Sequence, residues 1–349
     1  TRFKCDWSSD VCSSDLTEGH PPLREEIARF MASKGVQGVT AGDLIVTTGS
    51  QQALDLIAKT LLDEGDVALV EAPTFLATIQ CFRLYGPRVL GVPIDADGVQ
   101  VDRLEEMVVR HRPKLVYIIP TFGNPSGAML SHERRLKILQ MAVRHRVVVV
   151  EDDPYGDLYF HAEPPPSLLA LSHQVPGSRE WLLHCGSLSK VLSPGLRVGW
   201  LIAPPGLLQR ATMCKQFSDA HTSTYAQATA AEYLKSGRMP ATLAHVRRVY
   251  GQRAAAMGAA LRRELGDAFN FNQPQGGLFF WGRLTGAGGA INDGQAYAQK
   301  AIEHNVAFVP GAPFFADQPD PASLRLSFAT SDLEKIEQGV KRLGAALRA

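Results

Sequence analysis

The segment Val147-Val148-Val149-Val150-Glu151-Asp152-Asp153-Pro154-Tyr155 decides the fold. Four consecutive valines without polar alternation describe a strand buried on both faces, the condition of parallel strands covered by helices on either side. The carboxylates that follow then stand at the strand's C-terminal end, where open α/β sheets hold their ligands. Without that placement, an Asp pair before proline is an ordinary turn-former.

Working outward, the same grammar recurs. Apolar runs at 67–70, 115–119, 181–183 and 198–202 read as further strands. Helical periods lie between them, at 133–143 and at 51–62, where Leu54, Ile57, Ala58, Leu61 and Leu62 share one face. This alternation predicts an α/β fold, a mostly parallel sheet flanked by helices. After about Tyr250 the pattern changes to a long helix, shorter strand-like pieces within 269–284 and at 306–308, and a closing helix over 332–347. The expected division is a helical remnant at 17–40, a large domain at 41–245 and a smaller α+β domain at 246–349. The glycine-rich stretch 285–294 lacks the strand-turn-helix context of a phosphate loop and reads as a surface connection.

Length and composition set outer limits. A chain of 349 residues has room for about two domains. With 45% hydrophobic and 20% charged residues it is an ordinary globular sequence. Lys plus Arg (36) against Asp plus Glu (35) leaves a net charge of +1, which argues against nucleic acid or an anionic membrane as partner. No apolar stretch approaches the roughly 20 residues that span a bilayer. Five cysteines, at 5, 12, 81, 185 and 214, are odd in number and lack paired spacing, so they predict reduced thiols and a cytoplasmic protein. His20, His132 and His221 lack metal-ligand spacing and read as surface or loop groups, so no metal is expected. Cys185 reads as a small buried residue and Trp200 as core.

Residues 1–16, TRFKCDWSSDVCSSDL, have neither the apolar core of a signal peptide nor any helical or strand period. From Asp6 to Leu16 the run resembles the in-frame translation of a short-read sequencing adapter. The expectation is an artefactual segment standing where a natural N-terminal region belongs; a Ser/Asp-rich tail is the alternative.

Four segments carry chemistry. Gly186-Ser187-Leu188-Ser189-Lys190, followed by Ser193-Pro194-Gly195-Leu196-Arg197-Val198-Gly199, sets a lysine after a strand among hydroxyls and an arginine. Such a loop could hold an aldehyde cofactor as a Schiff base while Ser and Arg take its phosphate, although a lone lysine is commonly a solvated charge. Thr47-Thr48-Gly49-Ser50-Gln51-Gln52-Ala53 leads into a helix, whose N-terminus is a ready anion site. Taken alone, Ser50 reads more simply as a helix cap. Asp152 could pair with a protonated pyridine nitrogen. Pro120-Thr121-Phe122-Gly123-Asn124-Pro125-Ser126-Gly127 brings an amide to the same sheet edge, in a segment that by itself is a turn.

Together these segments resemble the pyridoxal phosphate (PLP) dependent class I/II aminotransferases of fold type I, from about Thr17 to Ala349. The resemblance implies a large PLP-binding domain and a ping-pong transfer of an amino group between amino acid and 2-oxo acid substrates. Residue by residue, it makes Lys190 the lysine that bonds the cofactor and Asp152 the partner of its ring nitrogen. Asn124 and Tyr155 match the groups at the phenolate oxygen, and Ser50, Gln51, Ser187 and Arg197 match the phosphate cradle. Phe75 matches the aromatic stacked on the ring, a place where relatives often carry Tyr; stacking needs only the π face. Arg325, in Ser323-Leu324-Arg325-Leu326-Ser327-Phe328, matches the grip on the substrate α-carboxylate, the task a planar guanidinium does best; alone on a strand it would read as a surface charge.

Within the family, the stretches 74–84, 184–197 and 306–315 are most similar to the 2-aminoadipate and kynurenine aminotransferase group. That resemblance implies 2-aminoadipate, aromatic or branched-chain L-amino acids as donors, 2-oxoglutarate as acceptor, and a homodimer. It also implies an N-terminal lid and a cross-subunit tyrosine that the segment 1–16 does not supply, and with them weaker cofactor retention and dimer formation. A second reading is the aminotransferase-like, PLP-sensing domain of a winged-helix transcriptional regulator. A third keeps PLP and changes the reaction to decarboxylation, elimination or racemisation; Arg325, suited to hold a carboxylate, leans against decarboxylation.

Overall fold

The computed structural model describes residues 16–287 and 291–349. Residues 1–15, which include the adapter-like run up to Asp15, and residues 288–290 of the glycine-rich stretch lie outside the described residues.

The chain opens with α1 (Pro21–Ser33), β1 (Leu44–Thr48), α2 (Ser50–Leu61), β2 (Val67–Ala72), α3 (Leu76–Arg83), β3 (Arg88–Asp95) and β4 (Gly98–Val99). It continues with α4 (Val101–His111), β5 (Leu115–Ile118), α5 (His132–His145), β6 (Val148–Asp153), α6 (Leu168–Leu171), β7 (Leu182–Ser187) and β8 (Val198–Ile202). Three helices follow, α7 (Pro205–Asp219), α8 (Thr224–Lys235) and α9 (Met239–Leu265). The last part holds β9 (Phe269–Phe271), β10 (Phe279–Leu284), α10 (Gly294–Glu303), β11 (Val309–Pro310), β12 (Ser323–Ser327) and α11 (Leu333–Arg348).

Eight strands form one sheet in the order β1-β8-β7-β6-β5-β2-β3-β4. Its centre, from β3 through β2, β5 and β6 to β7, is parallel, while β8 runs antiparallel to β7 and β1, and β4 to β3. The α/β fold with a mostly parallel sheet is therefore present. The valine run is buried on both faces, as its lack of alternation requires. Because the parallel strands share a direction, the ends of β5, β6 and β7 bring Tyr117, Asp152 and Ser187 to one edge.

A second sheet, β11-β12-β10-β9, is wholly antiparallel, with Arg325 opposite Trp281 and Val309. Each sheet has its own buried core. Helix α9 joins them, giving Met239 and Leu243 to the first and Ala254, Met257, Ala260, Leu261 and Leu265 to the second.

Three elements differ from the sequence expectation. The strand at 147–150 continues through Glu151, Asp152 and Asp153, because Glu151 and Asp152 pair in register with His184 and Cys185 of β7. The buried Glu151 carboxylate accepts from Leu168 N (2.6 Å), Leu169 N (3.1 Å) and His184 Nδ1 (2.8 Å), so this charge is tied into the fold. Helix α9 starts well before Tyr250. Residues 306–308 are not a strand; Val309–Pro310 pairs instead. Trp200 and Cys185 are buried as expected.

Candidate active site

Strand β6 delivers Asp152. Its Oδ2 accepts a hydrogen bond from Tyr117 Oη at 2.7 Å, whereas Oδ1 is buried and has no partner among the described residues. Burial pushes the Asp152 carboxyl up to about 7, the Tyr117 hydrogen bond pulling in the opposite direction.

Lys190 stands in the turn after β7. Burial, with the neighbouring cations Arg197 and Arg325, holds its ammonium below the usual range. Its amine makes no hydrogen bond or ion pair among the described residues. A lysine so placed reaches its neutral, nucleophilic form more easily than a surface lysine does.

The phosphate-like end of the site is built by close backbone approach. Helix α2 begins at Ser50 with Gly49 as its N-cap (φ 75°) and no side-chain cap. The capping reading of Ser50 is thus replaced: Ser50 is the first helical residue, Gln52 N donates to Gly49 O (3.2 Å), and among the described residues the N–H groups of Ser50 and Gln51 are left to an anion. The room exists because two neighbours lack side chains. A Cβ on Gly199 would lie 2.6 Å from Gly49 C and 2.7 Å from Ser50 N, and one on Gly49 would lie 2.4 Å from an Arg197 guanidinium nitrogen. Arg197 donates to Thr48 O (3.3 Å) and Ser189 Oγ (3.4 Å), and Ser189 N donates to Ser187 Oγ (3.1 Å).

Arg325 reaches the opposite end from the second sheet. It donates to Asn124 Oδ1 at 2.8 Å, and its guanidinium carbon lies 4.3 Å from the Phe279 ring centroid and 4.9 Å from that of Phe314. Its Nε is buried without a partner among the described residues. Asn124 Nδ2 in turn donates to Tyr155 Oη at 3.5 Å.

All ten residues singled out from sequence line one cavity of about 310 Å³: Ser50, Gln51, Phe75, Asn124, Asp152, Tyr155, Ser187, Lys190, Arg197 and Arg325. Ile119, Pro154, Ser189 and Phe279 complete the wall and were not foreseen. Nor was Tyr117. A tyrosine inside an otherwise aliphatic central strand was the available signal, since a buried phenol requires a partner. Phe279 also borders a wider groove of about 850 Å³ with Pro73, Met129, Trp281 and Phe315, rimmed by Asp95, Asp97 and Asp320.

Comparison with known proteins agrees with this geometry. Residues 14–343 match the family model of aminotransferase class I and II. The chain is 45% identical over 334 residues to 2-aminoadipate transaminase of Thermus thermophilus, covering 95% of this chain and 80% of that protein. The crystal structure of alpha-aminoadipate aminotransferase from the same organism, complexed with N-(5'-phosphopyridoxyl)-L-leucine, matches with a TM-score of 0.89 at 44% identity, over 95% of this chain and 82% of that one. An uncharacterized HTH-type transcriptional regulator of Bacillus subtilis, YisV, is 32% identical over 95% of this chain and 66% of its own length. The chain belongs to the class I and II aminotransferases, and it is a pyridoxal phosphate dependent transaminase.

The residues present suit that cofactor. An uncapped helix N-terminus with serines and an arginine matches a phosphate. The orphaned Asp152 Oδ1 at the cavity matches a ring N–H, and the unpaired Lys190 amine matches an aldehyde.

Proposed function

We propose that this transaminase takes the amino group of an L-amino acid of 2-aminoadipate, aromatic or branched-chain type and passes it to 2-oxoglutarate. The observation that carries the reading is that Lys190, Asp152 and Arg325 line one cavity. The breadth of donors is supported by the aromatic groove beside Phe279 and by the names of the similar proteins.

In this reading Ser50, Gln51, Ser187 and Arg197 hold the phosphate, Phe75 lies on the ring, and Asn124 and Tyr155 face the phenolate oxygen. Arg325 orients the amino acid by its α-carboxylate. Bound there, pyridoxal phosphate supplies the aldehyde that takes the amino group and the ring that accepts the electron pair left at Cα. Asp152 keeps a proton on the ring nitrogen. Lys190 would take the proton from substrate Cα as base and, as acid, deliver it to the cofactor carbon that receives the amino group. Donor and acceptor use the same cavity in turn, the ping-pong order.

The active form is a homodimer in this proposal. Met213 (56% exposed) and Phe217 (87%), one turn apart on α7, present an apolar surface there, and Tyr225 (83%), at the start of α8, is exposed as well. Asp219, at the end of α7, accepts from Gln52 Nε2 (2.7 Å) and Thr48 Oγ1 (3.1 Å), so this surface borders the phosphate-like end. We place the protein in the cytoplasm, a reading supported by Cys81, Cys185 and Cys214, which are free among the described residues. Among the described residues, no helix is long and apolar enough to cross a membrane. The two cores support domains at 41–245 and 246–349.

The test is a half-reaction. The chain is loaded with pyridoxal phosphate, and 2-aminoadipate, glutamate, kynurenine and leucine are added separately while the cofactor absorption is followed. Loss of the band with matching 2-oxo acid, absent in Lys190→Ala, is the expected result and ranks the donors. A band that no amino acid discharges would overturn it and favour the PLP-sensing regulator, the reading that the similarity to YisV supports.

A further inference from the structure

Asp152 has two oxygens in unlike situations, and Tyr117 makes the difference. In the β5/β6 register Tyr117 is paired with Val150, and Asp152 is two residues further along β6 on the same face. The phenol therefore reaches diagonally to Asp152 Oδ2, at 2.7 Å. The Tyr117 ring is fully buried and held edge-on by Phe82, with centroids 5.9 Å apart, so the donor has little freedom to leave.

We propose that Tyr117 is a positioning residue for transamination: by occupying Oδ2 it presents Oδ1 to the cofactor's ring nitrogen and favours the charged carboxylate, so that the shared proton resides on the ring. The inference rests on reading Asp152 as the ring-nitrogen partner, and deepens it. The surrounding charges make such a donor necessary. Burial and the nearby Asp153 and Glu151 carboxylates all favour protonation of Asp152, opposed by His184 and by the Tyr117 hydrogen bond. If Asp152 took the proton, the ring would lose the positive charge that draws electrons from Cα. Tyr117 remains a donor throughout, because burial, Asp152 and Glu71 all raise its own ionisation well above the usual range.

The experiment loads wild type, Tyr117→Phe and Asp152→Asn with pyridoxal phosphate labelled with 15N in the ring and records the nitrogen chemical shift at fixed pH. Phenylalanine keeps the packing on Phe82 and removes only the donor. Its nitrogen shift is expected to move toward the unprotonated value, with kcat lower by about tenfold, the size of one hydrogen bond to a charged group, and KM little changed. Placing 4-aminophenylalanine at 117, a weaker donor of the same length, gives a shift between the two and carries the test if Tyr117→Phe does not fold. An unchanged nitrogen shift in the Tyr117 variants, with a changed one in Asp152→Asn, overturns the role of Tyr117. An unchanged shift in Asp152→Asn itself overturns the underlying reading of Asp152.

Discussion

Arg325 and Asn124 are 201 residues apart in the chain, yet the guanidinium of one donates to the side-chain carbonyl of the other at 2.8 Å. This bond joins the antiparallel sheet to the edge of the parallel one, and it leaves Arg325 Nε buried and unpaired beside the cavity. Phe279 and Phe314 flank the guanidinium, so its plane is set before any substrate arrives.

Arg325→Lys keeps the charge and loses the planar fork. A hydrogen bond to a charged group contributes about 1.5–3 kcal/mol, so KM for amino acids is expected to rise about 10- to 100-fold, with kcat changed much less. Steady-state kinetics with a single donor checks this. An unchanged KM would remove Arg325 from carboxylate recognition.

Gly199→Ala places a methyl group against Gly49 C and Ser50 N. Overpacking of this kind costs about 1–3 kcal/mol, and the strain falls on the first turn of α2. The cofactor's dissociation constant is expected to rise about tenfold for each 1.4 kcal/mol that reaches the bound state. Equilibrium dialysis against pyridoxal phosphate measures it; a less stable chain with unaltered affinity would show that this turn does not hold the phosphate.

Glu71, buried at the end of β2, accepts from Ile119 N at 2.9 Å, and burial pushes its carboxyl up to about 8. The native state thus keeps a proton that the unfolded chain releases near the ordinary value of 4.5. The stability from this group is complete below that ordinary value and is lost as pH rises through about 8. Glu71→Gln removes the titration, so its stability relative to wild type is expected to rise by up to about 1.4 kcal/mol per pH unit across this window and level off above it. Urea unfolding of both chains at about pH 5, 7 and 9 reads the difference; one that stays constant with pH contradicts the assignment.

Phe217→Glu places a charge on the apolar surface of α7. If that surface joins two copies, losing a buried Phe worth about 1.5–3 kcal/mol weakens the dimer by more than about tenfold. Sedimentation velocity over a concentration series gives the outcome, and a dimer of unaltered strength would place the interface elsewhere.

The sequence by itself determined the strand at the valine run, the buried faces of the helices and the short motifs around Lys190, Asp152, Asn124 and Ser50. These depend on adjacency and period: which neighbours a residue has within one turn or one strand. Resemblance added Arg325, which no local pattern distinguishes from a surface charge. Only the tertiary structure decided what stands opposite what. Tyr117 meets Asp152 because β5 and β6 lie side by side in one register, and a sequence separation of 35 says nothing of that register. Gly199 has to be glycine because β8 lies next to β1 and brings it against the start of α2. The strand through Asp152 outran its apolar run because β7 offered partners and Leu168, Leu169 and His184 satisfied Glu151. In each case the deciding interaction is between segments distant in sequence, and its geometry exists only once the sheet is assembled.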